Sequence, residues 1–198
     1  MAKSLNLSPL EAVPILTLGY GKRTLSEFIG IVEQHSIGFI IDVRSSPFSR
    51  FQPDFSKQVL AEHLRARGIR YVFMGDSLGG RPDDQSCYVN GHVAYDLVRE
   101  RSFFKAGIDR LQNAVKGGYR VCLLCAELHP EECHRSKLIG VTLVELGFQV
   151  IHICGDGALS SQSEVLSRLK NDQPELFAVG LSSRKVYVND GRRKPSAK

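Results

Sequence analysis

Short apolar runs alternate along the chain with stretches whose apolar positions recur at helical spacing. The runs are Ile15-Leu16-Thr17-Leu18, Phe39-Ile40-Ile41, Arg70-Tyr71-Val72-Phe73, Val121-Cys122-Leu123-Leu124 and Val150-Ile151-His152-Ile153. Each is too short for a helix and fits a strand covered on both faces. Between the first two runs, Leu25, Phe28, Ile29 and Val32 form an apolar helical stripe, and Thr24 with Glu27 forms a capping box at its start. Ser56 caps a second helix that runs to about residue 67 and that Gly68 ends. Helical spacing resumes near His92 and again over 103–115, closed by Gly117-Gly118. Pro130, with Glu131 and Glu132 in the first turn, starts a helix that ends at Gly147. Ser161 and Glu164 repeat the capping-box pattern for a last helix. This alternation predicts a three-layer α/β/α fold with about five mostly parallel strands.

The predicted organisation is an N-terminal extension over 1–14, an α/β domain over 15–158, a C-terminal helix and extension over 159–181, and a basic tail over 182–198. Beyond Pro174 the pattern weakens, and 179–188 reads as a hairpin or an edge strand. The loop over 75–91 exceeds ordinary connection lengths, which marks it as functional or mobile.

Composition narrows the class. The 198 residues are 42% hydrophobic and 24% charged, which suits a soluble domain able to bury its own core. No apolar run approaches the roughly 20 residues of a membrane helix, and the first residues lack a signal peptide's apolar centre. Five cysteines are an odd number at spacings that suggest no disulfide framework, so a reduced, cytoplasmic protein is expected. Of 26 basic and 21 acidic residues, six and one fall in 182–198, which leaves 20 of each elsewhere. The net charge of +5 therefore belongs to the tail, a candidate contact for nucleic acid whose plainer reading is a solvated end.

Ligands of open parallel sheets bind beyond the carboxyl ends of the strands. The residues there are Gly19-Tyr20-Gly21; Asp42-Val43-Arg44 with Ser49 and Arg50; Gly79-Gly80-Arg81; and Cys125-Ala126-Glu127, with Cys133-His134-Arg135 further on. Gly19-Tyr20-Gly21 is half of a dinucleotide fingerprint whose third glycine falls at Thr24, and no phosphate-loop ending is present, so no nucleotide cofactor is expected. Cys125, ahead of a helix start and near His134 and Arg135, reads as a nucleophile or as a small buried hydrophobe. A phosphatase spacing would need Arg at 131, which is Glu131. Cys133 and His134, as helical neighbours, diverge by about 100°, and paired zinc spacings are absent, so no metal ligand set is expected. Arg135 shares a helical face with Ile139, Thr142 and Leu146 and should point inward, to pair with Asp42, Glu127 or a bound anion. The candidate catalytic set is Asp42, Cys125, Glu127 and His134. The candidate binding set is Gly19, Arg44, Ser49, Arg50, Gly79, Gly80, Arg81 and Arg135.

These stretches resemble a family known as the domain of unknown function 488. The resemblance runs from Leu16 to about Ile153 and rests on the Gly19 turn with Thr24-Leu25-Ser26-Glu27-Phe28, Asp42-Val43-Arg44 with Pro47, Ser49 and Arg50, Leu78-Gly79-Gly80, Leu124-Cys125-Ala126-Glu127, Cys133-His134-Arg135-Ser136 and Val150-Ile151-His152-Ile153. Where that family usually has His after the first glycine, this chain has Tyr20. The resemblance implies an α/β domain and brings no reaction with it. Three readings stand side by side: an enzyme acting on an anionic, phosphate- or nucleotide-like small molecule, hydrolase or transferase in type; a non-catalytic nucleotide or nucleic-acid binding module; and a metal-dependent hydrolase. None involves a membrane.

Overall fold

The computed structural model describes residues 13–172 and 180–187. Six strands form the main sheet: β1 (Ile15–Gly19), β2 (Phe39–Asp42), β3 (Arg70–Phe73), β6 (Val121–Cys125), β7 (Val150–Ile153) and β8 (Leu159–Ser161), in the spatial order β3-β2-β6-β1-β7-β8. All neighbours are parallel except β8, which runs antiparallel to β7. A separate antiparallel pair joins β4 (Tyr88–Val89) to β5 (His92–Val93). The fold is α/β, mostly parallel, as expected; the sixth strand lies past the expected domain boundary at residue 158. Its three residues, Leu159-Ser160-Ser161, are too few and too polar to register as an apolar run.

The helices are α1 (Leu25–Gln34), α2 (Lys57–Arg65), α3 (Gly75–Leu78), α4 (Tyr95–Arg99), α5 (Ser102–Lys116), α6 (Val141–Glu145) and α7 (Gln162–Asp172). Alternate strand residues feed two cores, as a doubly covered sheet requires. Leu16, Leu18, Ile40, Cys122 and Leu124 pack with Phe28, Val32, Leu60 and Leu64 of α1 and α2. Ile15, Ile41, Val121, Leu123 and Val150 pack on the other face with Ile108 and Leu111 of α5 and Leu143 of α6. Thr24 and Glu27 close the expected capping box, and Ser161 and Glu164 close another. Ser56 stands at the start of α2 but makes no cap bond; its hydroxyl accepts the Ser49 N–H instead.

Two stretches depart from the sequence reading. Around His92 the chain is β5, and helix begins only at Tyr95. The helix expected from Pro130 is broken. Pro130–Glu132 is one 3-10 turn, Cys133 is extended (φ −121°, ψ 147°), and Arg135–Gly140 is a π-helix that passes into α6. A cause is visible in α7. Gln162 Nε2 donates to the Ser136 carbonyl at 3.2 Å, and a Cβ on Gly140 would stand 2.2 Å from Gln162 Oε1. A side chain inserted beside the helical ladder widens the turn, and only glycine leaves it room. Among the described residues no helix is long and apolar enough to cross a membrane.

Candidate functional site

The carboxyl edge of β6 supplies the chemistry. Cys125 closes that strand, and the turn after it carries Glu127. The Cys125 thiol donates to Glu127 Oε2 at 2.7 Å. Because Cys133 is extended rather than helical, its side chain returns to the same point: Cys133 Sγ lies 2.8 Å from Cys125 Sγ. His134 Nδ1 lies 3.8 Å from Cys125 Sγ and 3.6 Å from Cys133 Sγ. The other ring nitrogen, Nε2, is 2.9 Å from the Val43 carbonyl, an acceptor only, so Nε2 carries a proton and, in the neutral ring, Nδ1 presents a lone pair to the sulfurs. The expected divergence of Cys133 and His134 therefore fails, for the reason that the segment is not an α-helix.

Burial sets the electrostatics of this floor. It pushes the Cys125 thiol well above its ordinary pKa, and the hydrogen bond with Cys133 pushes it further. Burial also acts to raise Glu127, but the Cys125 thiol and His134 outweigh it and hold the carboxyl below its usual range. His134 moves the opposite way: burial disfavours its cation, while Cys125 and Glu127 favour it and prevail.

The floor opens into a cavity of about 370 Å³, the scale of a small-ligand site. Arg44, Arg81, Arg184 and Lys185 all line it. Arg44 is clamped from behind. Its Nε and Nη2 donate to the two oxygens of Asp42 at 2.9 and 2.5 Å, and its guanidinium lies over the Tyr20 ring at 5.3 Å. The Tyr71 hydroxyl also donates to Asp42, at 2.5 Å. This leaves Arg44 Nη1 buried and without a partner among the described residues. Burial and the nearby Asp42 carboxylate raise the Tyr71 pKa far above its ordinary value. Arg81 stacks over Tyr187 at 4.4 Å. Gly80 lies flat against the imidazole; a Cβ there would stand 2.7 Å from His134 Cγ.

The sequence-derived candidates sort into three groups. Arg44, Gly80, Arg81, Cys125, Glu127 and His134 line the cavity. Asp42 and Gly79 stand behind it: Asp42 holds Arg44, and Gly79 lets the chain pass the Gly75 carbonyl and Ser45, where a Cβ would come within 2.2 and 2.4 Å. Gly19, Ser49, Arg50 and Arg135 lie outside it. Gly19 permits the Glu127 carbonyl to approach, at 1.7 Å from a would-be Cβ. Ser49 lines a second hollow with Lys22 and Phe51, and Arg50 is exposed and lines neither.

Arg135 is the clearest correction. It is fully buried, as its apolar neighbours imply, but it meets neither Asp42 nor Glu127 as an ion pair. Its Nη2 donates to the Leu128 carbonyl at 3.0 Å, and its Nε and Nη1 have no partner among the described residues. Asp42 is already saturated by the nearer Arg44, two residues away. Arg23 serves the adjacent strand ends in the same manner, donating to the carbonyls of Gly19, Cys154 and Gly155 at 2.6, 2.6 and 3.0 Å. Both arginines tie down backbone carbonyls at the strand ends and in the turns that follow them.

Sequence reasoning missed the wall made by residues 183–187. This stretch, assigned to the solvated tail, runs beside β5: Ser183 N donates to Val93 O at 3.0 Å, and Tyr187 N donates to Gly91 O at 2.7 Å. Ser183, Arg184, Lys185 and Tyr187 all reach the cavity. An isolated antiparallel bridge between Ala94 and Ser182 is the edge pairing that the pattern over 179–188 hinted at. The remainder of the tail, 188–198, lies outside the described residues, as do 1–12.

No curated protein and no solved structure matches the chain. One family model does match, over residues 24–142, a span that holds the whole cavity floor and Arg44 and Arg81 but leaves out the wall at 183–187. On that match the chain belongs to the family described as the domain of unknown function DUF488.

Proposed function

We propose that the protein is an enzyme that takes an anionic small molecule, phosphate-bearing in type, and transforms it over the Cys125 floor. One observation carries this reading: a cluster of two buried thiols, a buried imidazole and a half-buried carboxylate shares a single cavity with four cationic side chains. Arg44 offers the substrate a preorganised guanidinium, because Asp42 fixes its other two donors. Arg81 and Lys185 add charge at the rim. Glu127, a carboxylate in hydrogen-bond contact with a thiol, is the proton-handling group. The Cys125 thiol does not serve as a free thiolate at neutral pH, since burial holds the proton on its sulfur.

The test uses inorganic phosphate and a nucleoside monophosphate as binding probes, and phosphomonoesters and phosphodiesters as substrates. Arg81→Ala, an exposed site, should keep the fold and weaken anion binding by about 10- to 100-fold, the worth of a charge-assisted hydrogen bond. Glu127→Gln should keep anion binding and lose turnover. Absence of anion binding by the parent protein at low salt would overturn the reading.

A further inference from the structure

We propose that Cys125, Cys133 and His134 form a binding site for a divalent transition metal of the zinc type, with its fourth coordination position open to the cavity. The three ligand atoms, Cys125 Sγ, Cys133 Sγ and His134 Nδ1, all lie within 4.8 Å of one another. A tetrahedron with zinc–sulfur bonds of about 2.3 Å and a zinc–nitrogen bond of about 2.1 Å has sulfur–nitrogen edges of about 3.6 Å and a sulfur–sulfur edge of about 3.8 Å. The two sulfur–nitrogen edges here are 3.8 and 3.6 Å. The sulfur–sulfur edge, at 2.8 Å, opens by about 1 Å as two thiolates take up positions around a cation.

The donor set and its surroundings select the metal. Two thiolates and an imidazole suit zinc and its close neighbours, and disfavour magnesium and calcium. The imidazole is already in the required tautomer. Nε2–H donates to the Val43 carbonyl, the outer-shell bond that metal-ligating histidines make, and Nδ1 is free for the metal. Gly80, packed flat on the ring, fixes its plane. Glu127 hydrogen-bonds Cys125 from outside the three-ligand cluster. Three protein ligands with an open fourth position is the arrangement of catalytic rather than structural zinc. Binding breaks two S–H bonds and forms two metal–sulfur bonds. Two protons leave, the Cys125 proton by way of Glu127, and no electron moves.

This site deepens the catalytic reading of the cavity by naming the group that would keep the two buried sulfurs ionised. The experiment is metal analysis of the full chain, purified reduced and then exchanged against zinc or cobalt(II). One metal per chain is expected, with a thiolate-to-cobalt charge-transfer band in the near ultraviolet and visible bands of tetrahedral intensity. Cys125→Ser and Cys133→Ser should each lower zinc affinity by more than about 100-fold, beyond the 10- to 100-fold typical of losing an outer-shell partner. Cys154→Ser, at a half-buried thiol outside the cluster, should change nothing. Should the two serine variants fail to fold, the charge-transfer band and zinc stoichiometry of the parent still decide the matter. No stoichiometric metal after exchange, cobalt without the thiolate band, or unchanged affinity in folded serine variants would overturn the site. Metal without turnover would leave the site standing and remove the catalytic reading; turnover by a protein that takes up no metal after exchange would keep the catalytic reading and remove the site.

Discussion

Arg44 grips Asp42 with two donors although only Val43 separates them. The pair works because Asp42 ends β2 and the chain turns immediately, so that the Arg44 backbone N–H also reaches Asp42 Oδ1, at 3.0 Å. The carboxylate is completely buried and the arginine is 5% exposed. Asp42→Asn should leave that guanidinium buried beside a neutral amide and cost about 3–5 kcal/mol of stability. Arg44→Lys should lose less, since it keeps the charge but not the planar fork. Urea unfolding near neutral pH measures both. A loss below about 1 kcal/mol in Asp42→Asn would show that water screens the pair.

His152 predicts how stability responds to acid. It is fully buried, between Thr17 Oγ1 at 2.7 Å and Gln162 Oε1 at 2.7 Å. Burial pushes its pKa down to about 4 from 6.5. The unfolded chain therefore takes up this proton first as pH falls. The contribution of His152 is complete above about pH 6.5 and is lost between there and pH 4, amounting to about 3 kcal/mol. Comparing the unfolding free energies of the parent and His152→Gln across that range isolates the effect. Parallel pH profiles for the two proteins would rule it out.

Gly80→Ala separates the site from the fold. The added methyl meets the His134 ring at 2.7 Å, and the ring must tilt. Zinc affinity should fall by about 10- to 100-fold, as when an orienting contact is lost, while the melting temperature shifts by only a few degrees. A large loss of stability with metal affinity intact would make Gly80 a packing residue of the core instead.

Arg135 carries a different expectation from a salt-bridged residue. With one carbonyl bonded and two donors unpaired, its charge contributes little, while its aliphatic stem fills space beneath the Leu128 turn. Arg135→Met should therefore be milder than Arg135→Ala, which adds a cavity to the loss. Thermal unfolding of the two variants gives the order; Met as damaging as Ala would mean that the guanidinium itself is indispensable.

The five parallel strands were legible because each is a short, mostly apolar run, although β3 at the sheet edge is only half-buried, and the polar residues that follow the runs accordingly met at one edge. Cys125, Glu127, Arg44 and Arg81 could be found by reading the polar residues just past the end of each run. Cys133 could not be placed, since Pro130 and two glutamates are as good a start for one 3-10 turn as for a long helix. Arg135 was correctly set inward but wrongly partnered, because local spacing says nothing of the competition that Arg44 wins for Asp42. Residues 183–187 fall in a stretch whose pattern hinted at an edge strand, but nothing in a short polar and basic sequence says that a cavity lies beneath it.

The π-helix over Arg135–Gly140 has no solvent side, for all six of its residues are buried. Sensitivity to substitution there should follow a plateau. Along α5, where Phe104, Ile108, Leu111 and Val115 alternate with exposed positions, it should instead rise and fall with each turn. A saturation mutagenesis profile of the chain would carry that difference as a visible signature: six consecutive intolerant positions, Lys137 among them, in a stretch that an amphipathic wheel would divide into two faces. Removing one residue from the segment, which restores ordinary winding, would rotate everything before it by about a third of a turn and carry Cys133 and His134 away from Cys125.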